Sequence, residues 1–84
     1  MDYKTREEWA KALIDKQPAF MTLEEAIAFA VKRIKSGEDL PDIYQEPKNG
    51  KYLVANSQAF EVLVQHGYKR VLDVFAMRDM VKNT

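Results

Sequence analysis

The chain has no cysteine. That excludes a disulfide framework and a cysteine-ligated zinc, and it fits a reducing compartment. It has one histidine, His66, so a histidine-based metal centre is short of ligands. Three glycines leave no glycine-rich loop to cradle phosphates, and Gly37, Gly50 and Gly67 each fall at a helix end or a turn. Serine occurs only as Ser36 and Ser57, and neither sits in a Gly-x-Ser-x-Gly turn. No apolar run approaches the roughly 18 residues a membrane helix needs. The first eight residues lack the apolar core of a signal peptide. Thirteen basic and thirteen acidic side chains cancel, so nothing global draws the chain to nucleic acid or to anionic lipid. Together these absences predict a cytoplasmic protein with no metal, no cofactor, no membrane partner and no enzymatic activity.

What is present is enough for one small domain spanning 1–84. Hydrophobic residues make up 46% of the 84, including four Phe, four Tyr and one Trp. A chain this short buries somewhat over about 60% of its unfolded surface, so it relies on that core or on a partner chain. The clearest segment runs from Thr22 to Gly37. Thr22 is placed to cap a helix, with Glu25 three residues on to complete a capping box. Glu24 and Glu25 sit at the positive end of the helix dipole, and Lys32, Arg33 and Lys35 at the negative end. Gly37 closes the helix. Leu23, Ala26, Ile27, Ala30, Val31 and Ile34 form its apolar stripe.

An earlier helix is predicted from Thr5 to about Lys16, with Thr5 and Glu8 as its capping pair and Trp9, Ala10, Leu13 and Ile14 as its stripe. Pro18 stops it. The short link to the next helix favours two antiparallel neighbours packed on each other. A β-hairpin is predicted near 43–55, turning at Pro47-Lys48-Asn49-Gly50. Asn56 or Ser57 then caps a helix that ends at Gly67. Residues 68–81 read best as a last helix, with a third strand near 69–74 as the alternative. The fold class is therefore α+β and mainly helical, with one or two helices after the hairpin. Trp9, Leu13, Ile27, Ile34, Phe60, Leu63, Val71 and Phe75 are the expected core.

Catalytic constellations are missing. The pairs Glu7-Glu8 and Glu24-Glu25 serve helix N-termini, and His66 beside Gly67 is placed to donate to the last carbonyls of a helix. Function is therefore sought in binding. Glu38, Asp39, Asp42 and Glu46 lie within nine residues that hold no basic side chain. This negative stretch, with Tyr44 as an anchor, predicts contact with a basic protein partner. The same carboxylates serve equally well to neutralise the basic end of the preceding helix. Phe29, between Glu25 and Arg33, is either core or a second anchor. The expected function is thus a small non-enzymatic protein-interaction module, an adaptor, inhibitor or regulator, using Phe29, Arg33, Glu38, Asp39, Asp42, Tyr44 and Glu46. Its alternative is a winged-helix-like nucleic-acid-binding regulator using Lys32, Arg33, Lys35, Lys48 and Lys51, although Glu24 and Glu25 would repel phosphate at the recognition helix. A homodimer is expected from Leu72, Val74, Met77 and Met80.

Overall fold

A computed structural model describes residues 6–83. Helix α1 is Arg6–Lys16, strand β1 Ala19–Phe20, helix α2 Leu23–Lys35, strand β2 Pro41–Gln45 and strand β3 Tyr52–Asn56. A 3-10 turn, Ser57–Ala59, leads into helix α3, Phe60–Gln65; strand β4 is Lys69–Leu72 and helix α4 Val74–Lys82. This is the expected α+β class. Thr5, the expected cap of the first helix, lies outside the described residues.

Helix α2 is closed at both ends by its own sequence. The Thr22 hydroxyl accepts from the Glu25 N–H at 3.2 Å and donates to the Glu25 carboxylate at 3.0 Å. Glu25 thus engages the hydroxyl of Thr22, where a full capping box would engage its N–H. At the far end Gly37 takes φ +79°. Its N–H donates to Ile34 O at 3.0 Å, and the Glu38 N–H donates to Arg33 O at 3.3 Å, which is a Schellman closure. Helix α3 ends in the same way at Gly67, φ +85°, with Gly67 N–H on Val64 O and Tyr68 N–H on Leu63 O.

The four strands form one antiparallel sheet in the order β1-β3-β2-β4. The β2–β3 hairpin pairs Pro41 with Asn56 at one end and Gln45 with Tyr52 at the other. Its turn is a four-residue loop closed by the Glu46 N–H on Lys51 O at 2.8 Å. The Glu46 carboxylate accepts from the Lys48 and Asn49 N–H groups at 3.1 and 2.9 Å, so a side chain shapes the loop.

The last segment differs from a continuous helix. Residues 69–72 pair with β2 as an edge strand, and the helix begins only after Asp73, whose carboxylate accepts from the Ala76 N–H at 2.9 Å. Asp73 is a better helix cap than a helix interior residue, and the β-branched Val71 suits the pleat.

Strand alternation divides the interior in two. On one face Ile43 and Val54 pack with Ala26 and Ala30 of α2 and Met77 of α4. On the other, Tyr44, Leu53 and Ala55 pack with Ala59 and Leu63, and Leu13 and Ile14 of α1 close over them. The short link between the first two helices therefore holds β1, and each helix packs on its own face of the sheet rather than on the other helix.

Two expected core residues are outside. Trp9 is 45% exposed and Phe75 is 70% exposed. Helix α1 turns Ala10, Leu13 and Ile14 inward, which leaves Trp9 beyond the contact. One continuous helix aligns Phe75 with Val71; the strand and the Asp73 cap reset that phase, so Met77 is buried and Phe75 exposed. Leu63 is fully buried, while Leu13, Ile27, Ile34, Phe60 and Val71 are half-buried. The residues that motivated a dimer are engaged internally: Met77 is buried, Leu72 and Met80 pack on the first cluster, and Val74 is half-buried. Among the described residues, no helix is long and apolar enough to cross a membrane.

Candidate functional site

The acidic stretch does not form one surface. Glu38 and Asp39 precede β2 and Glu46 follows it, so the whole strand, about 3.3 Å per residue, separates them. Asp39 pairs side-on with Arg33 through two contacts, one of them Nε to Oδ1 at 3.0 Å. That is the neutralisation of the helix end anticipated from the sequence. Arg33 also stands 5.9 Å from the centroid of the Phe29 ring, and Phe29 meets Phe20 at 5.1 Å between ring centroids. Phe29 is thus half-buried against β1. With Arg33 and Glu38 it lines a shallow recess of about 220 Å³ at the end of α2.

Asp42 and Tyr44 are inside the molecule. Tyr44 is fully buried and Asp42 is 1% exposed, so neither is a surface anchor. The basic residues of the nucleic-acid alternative are equally scattered. Lys32, Arg33 and Lys35 lie at the end of α2, near the start of β2, whereas Lys48 and Lys51 lie on the turn beyond the other end of β2. The helix pair that alternative needs is split between the two faces of the sheet.

A cleft of about 340 Å³ lies between the C-terminal turn of α1, the β2–β3 loop and Tyr68. Three segments distant in sequence converge there. Asp15 comes from α1, Glu46 and Tyr52 from the hairpin, and Tyr68 from the turn after α3. The Schellman closure at Gly67 delivers Tyr68 to this place, and the glycine is close against the hairpin loop: a Cβ at Gly67 would stand 3.3 Å from Pro47 Cγ. Tyr68 is half-buried, and burial raises the pKa of its phenol; the negative charges of Glu46 and then Asp15 push it further the same way. The phenol therefore stays a neutral donor beside two carboxylates. Lys48 and Lys51 line the same cleft, so its lining carries both signs of charge. Around the Tyr68 phenol itself the charges that act on its pKa are the two carboxylates.

Of the residues named from sequence as binding candidates, Glu46, Lys48 and Lys51 reach this cleft. Asp15, Tyr52 and Tyr68 were missed, because their only shared signal is spatial. A second groove, about 350 Å³, runs between α1 and α3 past Trp9, Val62 and His66. There His66 Nδ1 lies 2.9 Å from Val62 O, so that nitrogen carries the proton and the ring ends the helix as expected. Among the described residues no three His, Asp or Glu side chains gather as a metal site would need. Compared with protein-family models, with curated proteins and with solved structures, the chain matches none.

Proposed function

We propose that the protein is a small non-enzymatic interaction module that works in the cytoplasm and takes a lysine or arginine side chain of a basic partner protein into the cleft at Tyr68. The observation that carries this is that Asp15, Glu46 and Tyr68 line one cleft and that the charge of both carboxylates is felt at the Tyr68 phenol. A cationic side chain entering there meets two carboxylates, a phenol oxygen able to accept, and the ring of Tyr52 as an apolar wall. The partner is the same class inferred from the sequence, but the contact moves from Asp42 and Tyr44 to the other end of the hairpin. Partner binding by strand addition has less support. β1 has only two residues, and β4 opens on exposed Lys69 and Arg70, both of which are features that discourage edge pairing.

The test is a nuclear magnetic resonance titration with an octa-arginine peptide. Amide shifts should concentrate around Asp15, Glu46 and Tyr68, and binding should weaken as salt rises. Asp15→Asn combined with Glu46→Gln should weaken binding roughly tenfold or more, a loss of about 1.4 kcal/mol per factor of ten. The Gln oxygen retains an acceptor for one of the two loop N–H groups, so the melting temperature of the variant is measured beside its binding to separate a loosened loop from a lost contact. Shifts that gather around Lys48 and Lys51 on adding heparin, with no response to the peptide, would overturn the proposal in favour of nucleic-acid binding.

A further inference from the structure

The sheet contains one buried carboxylate that the cleft does not use. Asp42 sits in the middle layer, 1% exposed. Acidic side chains are almost never enclosed to this degree without full pairing. Its pairing is partial. Oδ2 accepts from the Tyr44 hydroxyl at 3.1 Å and lies 3.7 Å from Arg70 Nη1. Oδ1 is buried with no hydrogen-bond partner. The arrangement is held by register: Tyr44 is opposite Arg70 across the β2–β4 pairing, so both side chains fall on the face that Asp42 shares. The Arg70 guanidinium lies over the Phe60 ring at 4.5 Å from its centroid, and Phe60 in turn stands 6.5 Å from the Tyr44 ring. Arg70 is the most exposed member of the group, its side chain 40% exposed.

We propose that Asp42 is an acid-operated latch on Arg70. Ionised, Asp42 draws the guanidinium inward over Phe60. Protonated, it releases that pull, and the guanidinium turns toward solvent beside Lys69, at the free edge of the sheet. The proton comes from water and goes to Oδ1, where adding it breaks no hydrogen bond. The group that moves is the one with an open path, because Tyr44 is enclosed.

The charges around Asp42 can be set out element by element. From β2 it faces the Tyr44 hydroxyl, from β4 the Arg70 cation, and from the loop before α4 the Asp73 carboxylate, with the Val74 N–H beside it. β3 presents Ala55 opposite it, and α3 presents Phe60 to Tyr44 and Arg70; neither residue carries charge. Burial raises the Asp42 pKa above its ordinary 3.8, and Asp73 adds to the rise; the Tyr44 hydroxyl, Arg70 and Val74 oppose it without cancelling it. The latch therefore opens at a higher pH than an ordinary aspartate would titrate.

The test follows the Asp42 carboxyl carbon and the Arg70 Nε resonance by nuclear magnetic resonance while pH is lowered. Both should move with one shared midpoint above 3.8, the ordinary value for this side chain. In Asp42→Asn the Arg70 resonance should sit at its acid position at every pH. In Arg70→Gln, which leaves Asp42 in place should the first variant fail to fold, the Asp42 midpoint should rise, because a lowering charge is gone. The proposal is overturned if Arg70 does not respond at the Asp42 midpoint, if Asp42 titrates at or below 3.8, or if Arg70→Gln leaves its midpoint unmoved.

Discussion

The two faces of the sheet are covered by different chemistry. The fully buried cluster on the face under α2 and α4 is apolar: Ala26, Ala30, Ile43, Val54 and Met77, ringed by half-buried aliphatic and aromatic neighbours. The face under α1 and α3 has Leu53, Ala55, Ala59 and Leu63, but also Tyr44, with Asp42 buried beside it and Arg70 at its edge. The first face is held by area removed from water, which is roughly proportional and undirected. The second needs specific partners, because a buried carboxylate is costly wherever a hydrogen bond is missing. One sheet thus carries a face that tolerates rearrangement and a face that specifies one arrangement.

The largest way to break this comparison is to cut a cavity in each face. Ile43→Ala on the first and Leu63→Ala on the second remove fully enclosed side chains, and each should cost about 2–5 kcal/mol in urea unfolding. Ile27→Ala, on the half-buried side of α2, should cost less than either. Equal losses at Ile27 and Ile43 would show that α2 is seated deeper than described.

A smaller effect isolates the polar face. Tyr44→Phe removes the one hydroxyl that donates to Asp42. The carboxylate then keeps only Arg70 and the edge of the Val74 N–H, and the loss should be about 1–3 kcal/mol with almost no change in volume. Tyr52→Phe on the other face is the control. Its hydroxyl lies 3.4 Å from the Gln45 amide nitrogen in a partly open site, so the loss should be smaller.

The pH dependence has a definite sign. Because the folded protein holds the Asp42 proton more tightly than the unfolded chain does, this group stabilises the fold most below 3.8 and loses that contribution as pH rises through the folded midpoint. Wild type should therefore gain melting temperature relative to Asp42→Asn as pH is lowered from neutral toward 4. A constant difference across that range would mean that Asp42 is solvated.

The contrast also explains what could be read in advance. Helix α2 was legible to its last residue because its signals are local: Thr22, the Leu23-to-Ile34 stripe and Gly37 lie within one stretch of chain. Strand β2 was legible as a strand but not in its burial. Pro41, Asp42, Ile43 and Tyr44 are all buried because helices cover both faces, so apolar and polar residues do not sort into in and out. Asp42 and Tyr44 therefore looked like an acidic surface. β1, two residues long, owes its existence to β3, and no local pattern marks it. β4 is four residues, too short for periodicity to separate strand from helix. The Tyr68 cleft joins three segments, and its one local cue is that Tyr68 follows a helix-ending glycine.

The smallest effect is expected at Phe75, and it tests the helix phase on which the apolar face depends. Phe75 is the second residue of α4, after the Asp73 cap, and it is 70% exposed. If α4 is seated on Met77, Met80 and Val74, then Phe75→Ser removes a ring that touches mainly water. Such surface changes usually fall within about 0.5 kcal/mol. Met77→Ala, two residues on and on the opposite side of the helix, should cost several times more, about 2–5 kcal/mol, because Met77 is fully enclosed. The two variants share one helix, one cap and nearly one position, so their ratio reports rotation and little else. A loss above about 1 kcal/mol for Phe75→Ser, with a small loss for Met77→Ala, would place α4 turned by roughly 100° per residue of error. The continuous helix from residue 68 that aligns Phe75 with Val71 would then describe the chain better than the strand and the Asp73 cap do.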